Sequence, residues 1–152
     1  MAANRELKGA VIGASILGLG LLTAAHALAG AQGGEKYRAR LSPVPVEAST
    51  LASIAGSGSV TAVLSDGTRL TLTGTFEGLR TPATVAHLHN GRKGVRGPAV
   101  FDLTVSKAVS GTISGTITMS RAQAQDLKDG KFYVQIHSEK APDGNLWGWL
   151  LQ

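Results

Sequence analysis

An all-β domain of the sandwich class over residues 58–152 follows from three features of the sequence. Hydrophobic residues recur with a period of two, turn residues separate the runs, and the apolar stock is Val, Leu and Ile rather than aromatics. The chain has 152 residues, of which 20 are glycine, and only three Phe, two Tyr and two Trp. That length allows one modest domain with an appendage. The absence of cysteine excludes disulfides, thiolate metal sites and thiol nucleophiles. The net charge is +5, and setting aside Arg5, Lys8 and Glu6 leaves +4 beyond Gly34. So mild an excess suits anionic lipid heads or an acidic partner. It is too diffuse for nucleic acid, and no nucleic-acid-binding motif accompanies it.

Residues 1–8 read as a cytoplasmic N-terminus and 9–31 as a transmembrane anchor or uncleaved signal. From Gly9 to Gly34 there is no charged residue, and Val11 to Leu28 is almost wholly apolar. Eighteen residues at about 1.5 Å each cover most of a roughly 30 Å hydrocarbon core. A secretory signal would also explain Arg5, Lys8 and the small-residue sites Ala25-His26-Ala27 and Ala27-Leu28-Ala29. The apolar run exceeds the roughly 7–15 residues usual for a signal, which favours a retained span. The expected location is therefore the inner membrane, single-pass, with the C-terminal domain in the periplasm. Gly9, Gly13 and Gly18 carry small-residue spacing along that segment, the pattern that lets a second helix approach closely in lipid. His26, near the end of the span, reads as a solvated interfacial side chain.

Residues 32–57 are rich in Gly, Ser, Ala and Pro, with Pro43 and Pro45 two apart. They read as an extended linker with at most an edge strand. Period two then takes over. Val60, Ala62 and Leu64 share a face, and Asp66-Gly67 signals a hairpin turn. Leu70, Leu72, Gly74 and Phe76 alternate with threonines. The same pattern recurs at Phe101–Val105, Ile113–Met119 and Phe132–Ile136, and Leu146–Leu151 closes the chain. One short helix interrupts the series: Ser120 caps it, Gln123 completes a capping box and Gly130 ends it. About seven strands with regular turns point to a β-sandwich.

Three stretches resemble the chordin-type (CHRD) domain family. They are Gly74-Thr-Phe76-Glu-Gly78-Leu79; His87-Leu-His89-Asn-Gly91-Arg-Lys-Gly94-Val-Arg-Gly97-Pro98; and Tyr133-Val-Gln-Ile-His137 with Pro142-Asp-Gly144-Asn-Leu-Trp147-Gly148. The resemblance implies an immunoglobulin-like or superoxide-dismutase-like Greek-key sandwich in a secreted or surface protein, and little about activity. The chain departs from the family near its end. Asn145 and Trp147 stand where members usually carry an acid and an arginine, so any role of that pair is in doubt here. Trp147 and Trp149 share a face by parity, and either pack the core or dock on a partner.

Parity also places His87 and His89 on one strand face and His137 off the core side of another strand. If the two strands adjoin, three imidazoles converge, a set that suits copper or zinc with an open position. An H-x-H pair with a distant third histidine is similar to the copper ligands of copper/zinc superoxide dismutase. The competing reading has the histidines bonding backbone carbonyls and pinning the Gly-rich loop. That loop, Asn90 to Pro98, carries Arg92, Lys93 and Arg96, either solvated or in contact with an acidic partner or lipid heads. It lacks the P-loop spacing.

No nucleophile elbow or paired-carboxylate motif is present, so no enzyme is expected. The expected function is a non-catalytic accessory subunit of a larger membrane protein complex, respiratory or photosynthetic. Its partners would be complex subunits and the lipid bilayer. A copper-binding module and a secreted adhesive domain are the alternatives. No resident cofactor is expected; copper is the metal the trio would take.

Overall fold

Alternation of one apolar with one polar residue writes eight strands and one helix into residues 33–152, the part of the chain that the computed structural model describes. Strand β1 (Glu35–Pro43) turns Tyr37, Ala39 and Leu41 inward and leaves Lys36, Arg38, Arg40 and Ser42 exposed. Strands β2 (Ser57–Ser65) and β3 (Arg69–Glu77) bury Val60, Ala62, Leu64, Leu70, Leu72 and Phe76. The turn between them holds Asp66 at φ 53° and Gly67 at φ 71°, two successive left-handed residues that match the twist of a tight hairpin. Strands β4 (Ala83–Asn90), β5 (Ala99–Val105) and β6 (Gly111–Thr118) follow. Helix α1 (Arg121–Lys128) then precedes β7 (Phe132–Ser138) and β8 (Ala141–Trp149).

The helix begins and ends where its sequence predicts. The Ser120 hydroxyl accepts from the Gln123 amide at 3.1 Å, and the Gln123 side chain accepts from the Ser120 amide at 2.8 Å. Gly130, at φ 69°, supplies the left-handed exit. Ala124 and Leu127 enter the core, so α1 closes one side of the barrel interior's cluster.

The strands form a closed antiparallel barrel in the order β1-β2-β3-β6-β5-β4-β7-β8, not the expected immunoglobulin-like or dismutase-like sandwich. The difference lies in two thin seams. Strand β5 meets β6 through Thr104↔Ser114 and Val105↔Ile113. Strand β1 meets β8 through Ser42↔Trp147 and Pro43↔Leu146, with an isolated bridge at Arg38↔Leu151. Without these seams the same strands would lie as two four-stranded sheets, β1-β2-β3-β6 and β5-β4-β7-β8. Inward and outward alternation is the same in either arrangement, so the hydrophobic pattern does not choose between them.

Closure also corrects the linker. Residues 35–43 are a full barrel strand, hydrogen-bonded to β2 along Glu35–Leu41 and to β8 at Ser42 and Pro43. The alternation of Tyr37, Ala39 and Leu41 carries that strand despite Pro43, which sits at its last position, where a missing amide is tolerated. The expected transmembrane span, with Gly9, Gly13, Gly18 and His26, lies outside the described residues. Among the described residues no helix is long and apolar enough to cross a membrane.

Two apolar clusters hold the fold. The larger fills the barrel with the inward residues of every strand, including Leu88, Phe132, Val134, Ile136 and Leu146, all fully buried. The smaller lies outside the barrel wall, where Val44 and Ile54 from the β1–β2 connection cover Tyr133, Ala141 and Trp147, with Trp149 packed alongside. This outer layer explains why residues that parity turns outward on β7 and β8 are still buried. It also forms one wall of the site described next.

Candidate metal centre

Strand β4 lies between β5 and β7, and that adjacency assembles the histidines. Ala86 and Leu88 point into the barrel, which turns His87 and His89 outward. His87 stands opposite Asp102 on β5 and Gln135 on β7; His89 stands opposite Tyr133. His137 is two residues beyond Gln135, on the diagonal from His87 and within reach of a long side chain.

One nitrogen from each of His87, His89 and His137 lies within 4.8 Å of the others. His87 Nδ1 is 3.3 Å from His137 Nε2. The outer nitrogens are committed: His89 Nδ1 bonds the Gly97 carbonyl at 2.9 Å and His137 Nδ1 the Pro142 carbonyl at 2.7 Å. A carbonyl only accepts, so both Nδ1 atoms carry the proton and both Nε2 atoms present a lone pair to the centre. Among the described residues, His89 Nε2 is buried with no hydrogen-bond partner. His137 Nε2 accepts from His87 Nδ1. Exchanging the His87 proton to Nε2 would aim that N–H at Asp102 Oδ1, 3.5 Å away, and free a third lone pair.

Burial holds the His89 and His137 imidazoles below the usual histidine range, against the opposing pull of their carbonyl hydrogen bonds. Neighbouring His87 adds to the depression. Both rings are therefore neutral at pH 7, the form that binds a metal. Three nitrogens at about 2.0–2.1 Å from one ion stand roughly 3.5 Å apart in a trigonal arrangement, so a pair at the full 4.8 Å need close by about 1.3 Å. Among the described residues this is the one group of three or more side chains placed to share an ion.

The Gly-rich loop is part of this construction. The Gly97 amide donates to the Tyr133 hydroxyl at 3.0 Å, and the Tyr133 ring stacks on His89 with centroids 4.8 Å apart. A Cβ on Gly97 would collide with the backbone carbonyl of Asn90. Gly97→Ala is thus expected to displace the His89 acceptor and lower metal affinity by about 10- to 100-fold, the usual effect of losing an outer-shell partner. Isothermal titration of the variant checks this; unchanged affinity would show that the loop does not orient His89.

The loop cations separate. Arg92, Lys93 and Arg96 are all exposed, and Arg96 turns back to donate to the Asp143 carbonyl and lies 5.9 Å over the Trp147 ring. Trp147 is 9 % exposed and packs in the outer cluster; Trp149 is half-buried, with its indole N–H bonded to the Gly91 carbonyl at 2.9 Å. Asn145 is buried and donates to Ser138 Oγ at 2.8 Å. The sequence did not reveal Asp102, Pro142 or Tyr133 as parts of the site. Asp102 shares the outward parity of β5, but only the β4–β5 register brings it to His87.

An outward cluster of three imidazoles, two of them oriented by backbone carbonyls, on a small antiparallel barrel defines a β-barrel domain with a candidate metal centre. The chain belongs to the CHRD domain family, whose model matches residues 37–150. That span begins inside β1, in keeping with β1 as a strand of the domain. No curated protein and no solved structure matches the chain.

Proposed function

We propose that this CHRD domain is an extracytoplasmic copper-binding module in which His87, His89 and His137 are the ligands. The observation that carries the reading is His89: its Nδ1 is committed to Gly97, and its Nε2 is buried without a partner. A buried polar atom left unpaired costs about 1–3 kcal/mol, and an ion accepting that lone pair removes the cost. Two of the rings also have an outer acceptor, the Gly97 carbonyl for His89 and the Pro142 carbonyl for His137, the arrangement that fixes tautomer and raises ligand basicity, and Asp102 Oδ1 lies 3.5 Å from His87 Nε2. The two sequence readings of the histidines therefore coincide. The hydrogen bonds that pin the loops are the ones that aim the lone pairs.

Copper is favoured because affinity of nitrogen sites among first-row divalent ions peaks at Cu²⁺, and no carboxylate or thiolate joins the trio. No reaction is assigned to the site. The role of accessory subunit in a membrane complex draws on residues 9–31, outside the described residues, and nothing on the barrel favours it over metal binding. Calorimetric titration of the purified full-length protein tests the proposal. One Cu²⁺ per chain is expected, with Zn²⁺ binding more weakly at the same site. Absence of saturable copper binding would overturn it.

A further inference from the structure

A second site lies over the β1–β8 seam. Ser42↔Trp147 and Arg38↔Leu151 frame this register, which sets Arg40 across from Trp149, all on the outer surface. Gly148 permits the approach, since a Cβ there would collide with the Arg40 carbonyl. The result is a groove of about 390 Å³ lined by Arg38, Arg40, Lys93, Trp147 and Trp149. No carboxylate lines it, and among the described residues Arg38, Arg40 and Lys93 form no ion pair. Three cations without a counter-ion among the described residues thus surround a tryptophan, Trp149, whose plane is fixed by Tyr133 on one side and by its bond to Gly91.

We propose that this groove binds acidic carbohydrate, a sugar ring bearing a carboxylate or sulfate. The C–H face of the ring stacks on Trp149, and the anionic group is held by the Arg38 and Arg40 guanidinium forks and by Lys93. The volume is at the lower end of the roughly 300–1,000 Å³ of small-ligand sites. An extended acidic peptide fits less well, because at this groove the β1 and β8 edges already pair with each other and leave no free edge there to augment. A bilayer fits less well too, because the indoles are recessed: Trp147 is only 9 % exposed, whereas membrane anchors project their rings.

The test measures tryptophan fluorescence of the full-length protein against oligogalacturonate and a sulfated oligosaccharide. Fully methyl-esterified oligogalacturonate is the neutral control that keeps the rings. The parallel probes are inorganic sulfate, polyglutamate and phosphatidylglycerol vesicles. At least one acidic oligosaccharide should bind saturably and shift the emission, more weakly as salt rises. The esterified form should bind at least tenfold more weakly. The exposed double variant Arg40→Ala/Lys93→Ala should lose at least tenfold and Trp149→Leu a similar factor, while Arg40→Lys keeps part of the affinity. Binding of neither acidic oligosaccharide would overturn the proposal. So would equal binding of the esterified form, equal binding of sulfate, polyglutamate or vesicles, or unchanged affinity in the double variant.

Discussion

His89→Ala will reduce copper affinity by more than the roughly 10–100-fold that follows loss of an outer-shell partner, and the barrel will stay folded. The side chain is outside the main core: Leu88 and Ala86, its neighbours on β4, carry the inward packing. Removing the imidazole forfeits its bond to the Gly97 carbonyl, worth about 0.5–1.5 kcal/mol, and the stack on Tyr133. It also removes the buried, unpaired Nε2, a relief that offsets part of that loss in the metal-free protein. The variant should therefore unfold within a few degrees of the parent without copper, and the copper-induced rise in Tm should vanish. A variant that still gains stability from one equivalent of Cu²⁺ would show that His89 is not a ligand. Asp102→Asn should have a smaller effect, because Asp102 lies 3.5 Å from His87 and its side chain is almost fully exposed.

Phe132→Ala will produce the largest loss of stability outside the site, about 3–5 kcal/mol. Phe132 is fully buried at the start of β7, inside the barrel cluster, and its carbonyl accepts from the Leu150 amide at 2.9 Å, just past the end of β8. A small domain has a total stability of about 5–15 kcal/mol, so such a loss removes much of it. The urea midpoint should fall with little change in slope. A shift below about 1 kcal/mol would mean that the barrel interior collapses around the cavity or is less closely packed than described.

How much of this was legible in the sequence depends on which physical rule each feature obeys. Local rules could be read directly. Asp66-Gly67 forces a tight turn, Ser120 and Gln123 cap α1, and parity assigns His87, His89 and His137 to outward faces. Long-range pairing could not be read. Nothing in the alternation of Thr104, Val105, Ile113 and Ser114 announces that β5 and β6 join, and that seam is half the difference between a sandwich and a barrel. Pro43 and Pro45 give residues 32–57 the signature of a tether, which masks the short alternation of Tyr37, Ala39 and Leu41 that makes β1 a strand. In the site, the ligand nitrogens were foreseeable as a group, given a neighbouring β4 and β7. Their outer partners were not, because the Gly97 and Pro142 carbonyls are backbone atoms positioned by loops. The tryptophans show a mixed outcome. Trp147 packs in the outer cluster, and Trp149 packs beside it while still lining the basic groove.

The most direct test of the central claim is X-ray absorption at the copper edge of protein loaded with one equivalent of Cu²⁺. The geometry predicts three imidazole nitrogens at about 2.0 Å, with the multiple-scattering features of histidine, and loss of one of them in His89→Ala. A spectrum fitted by oxygen donors without three imidazoles, or unchanged in His89→Ala, would contradict it.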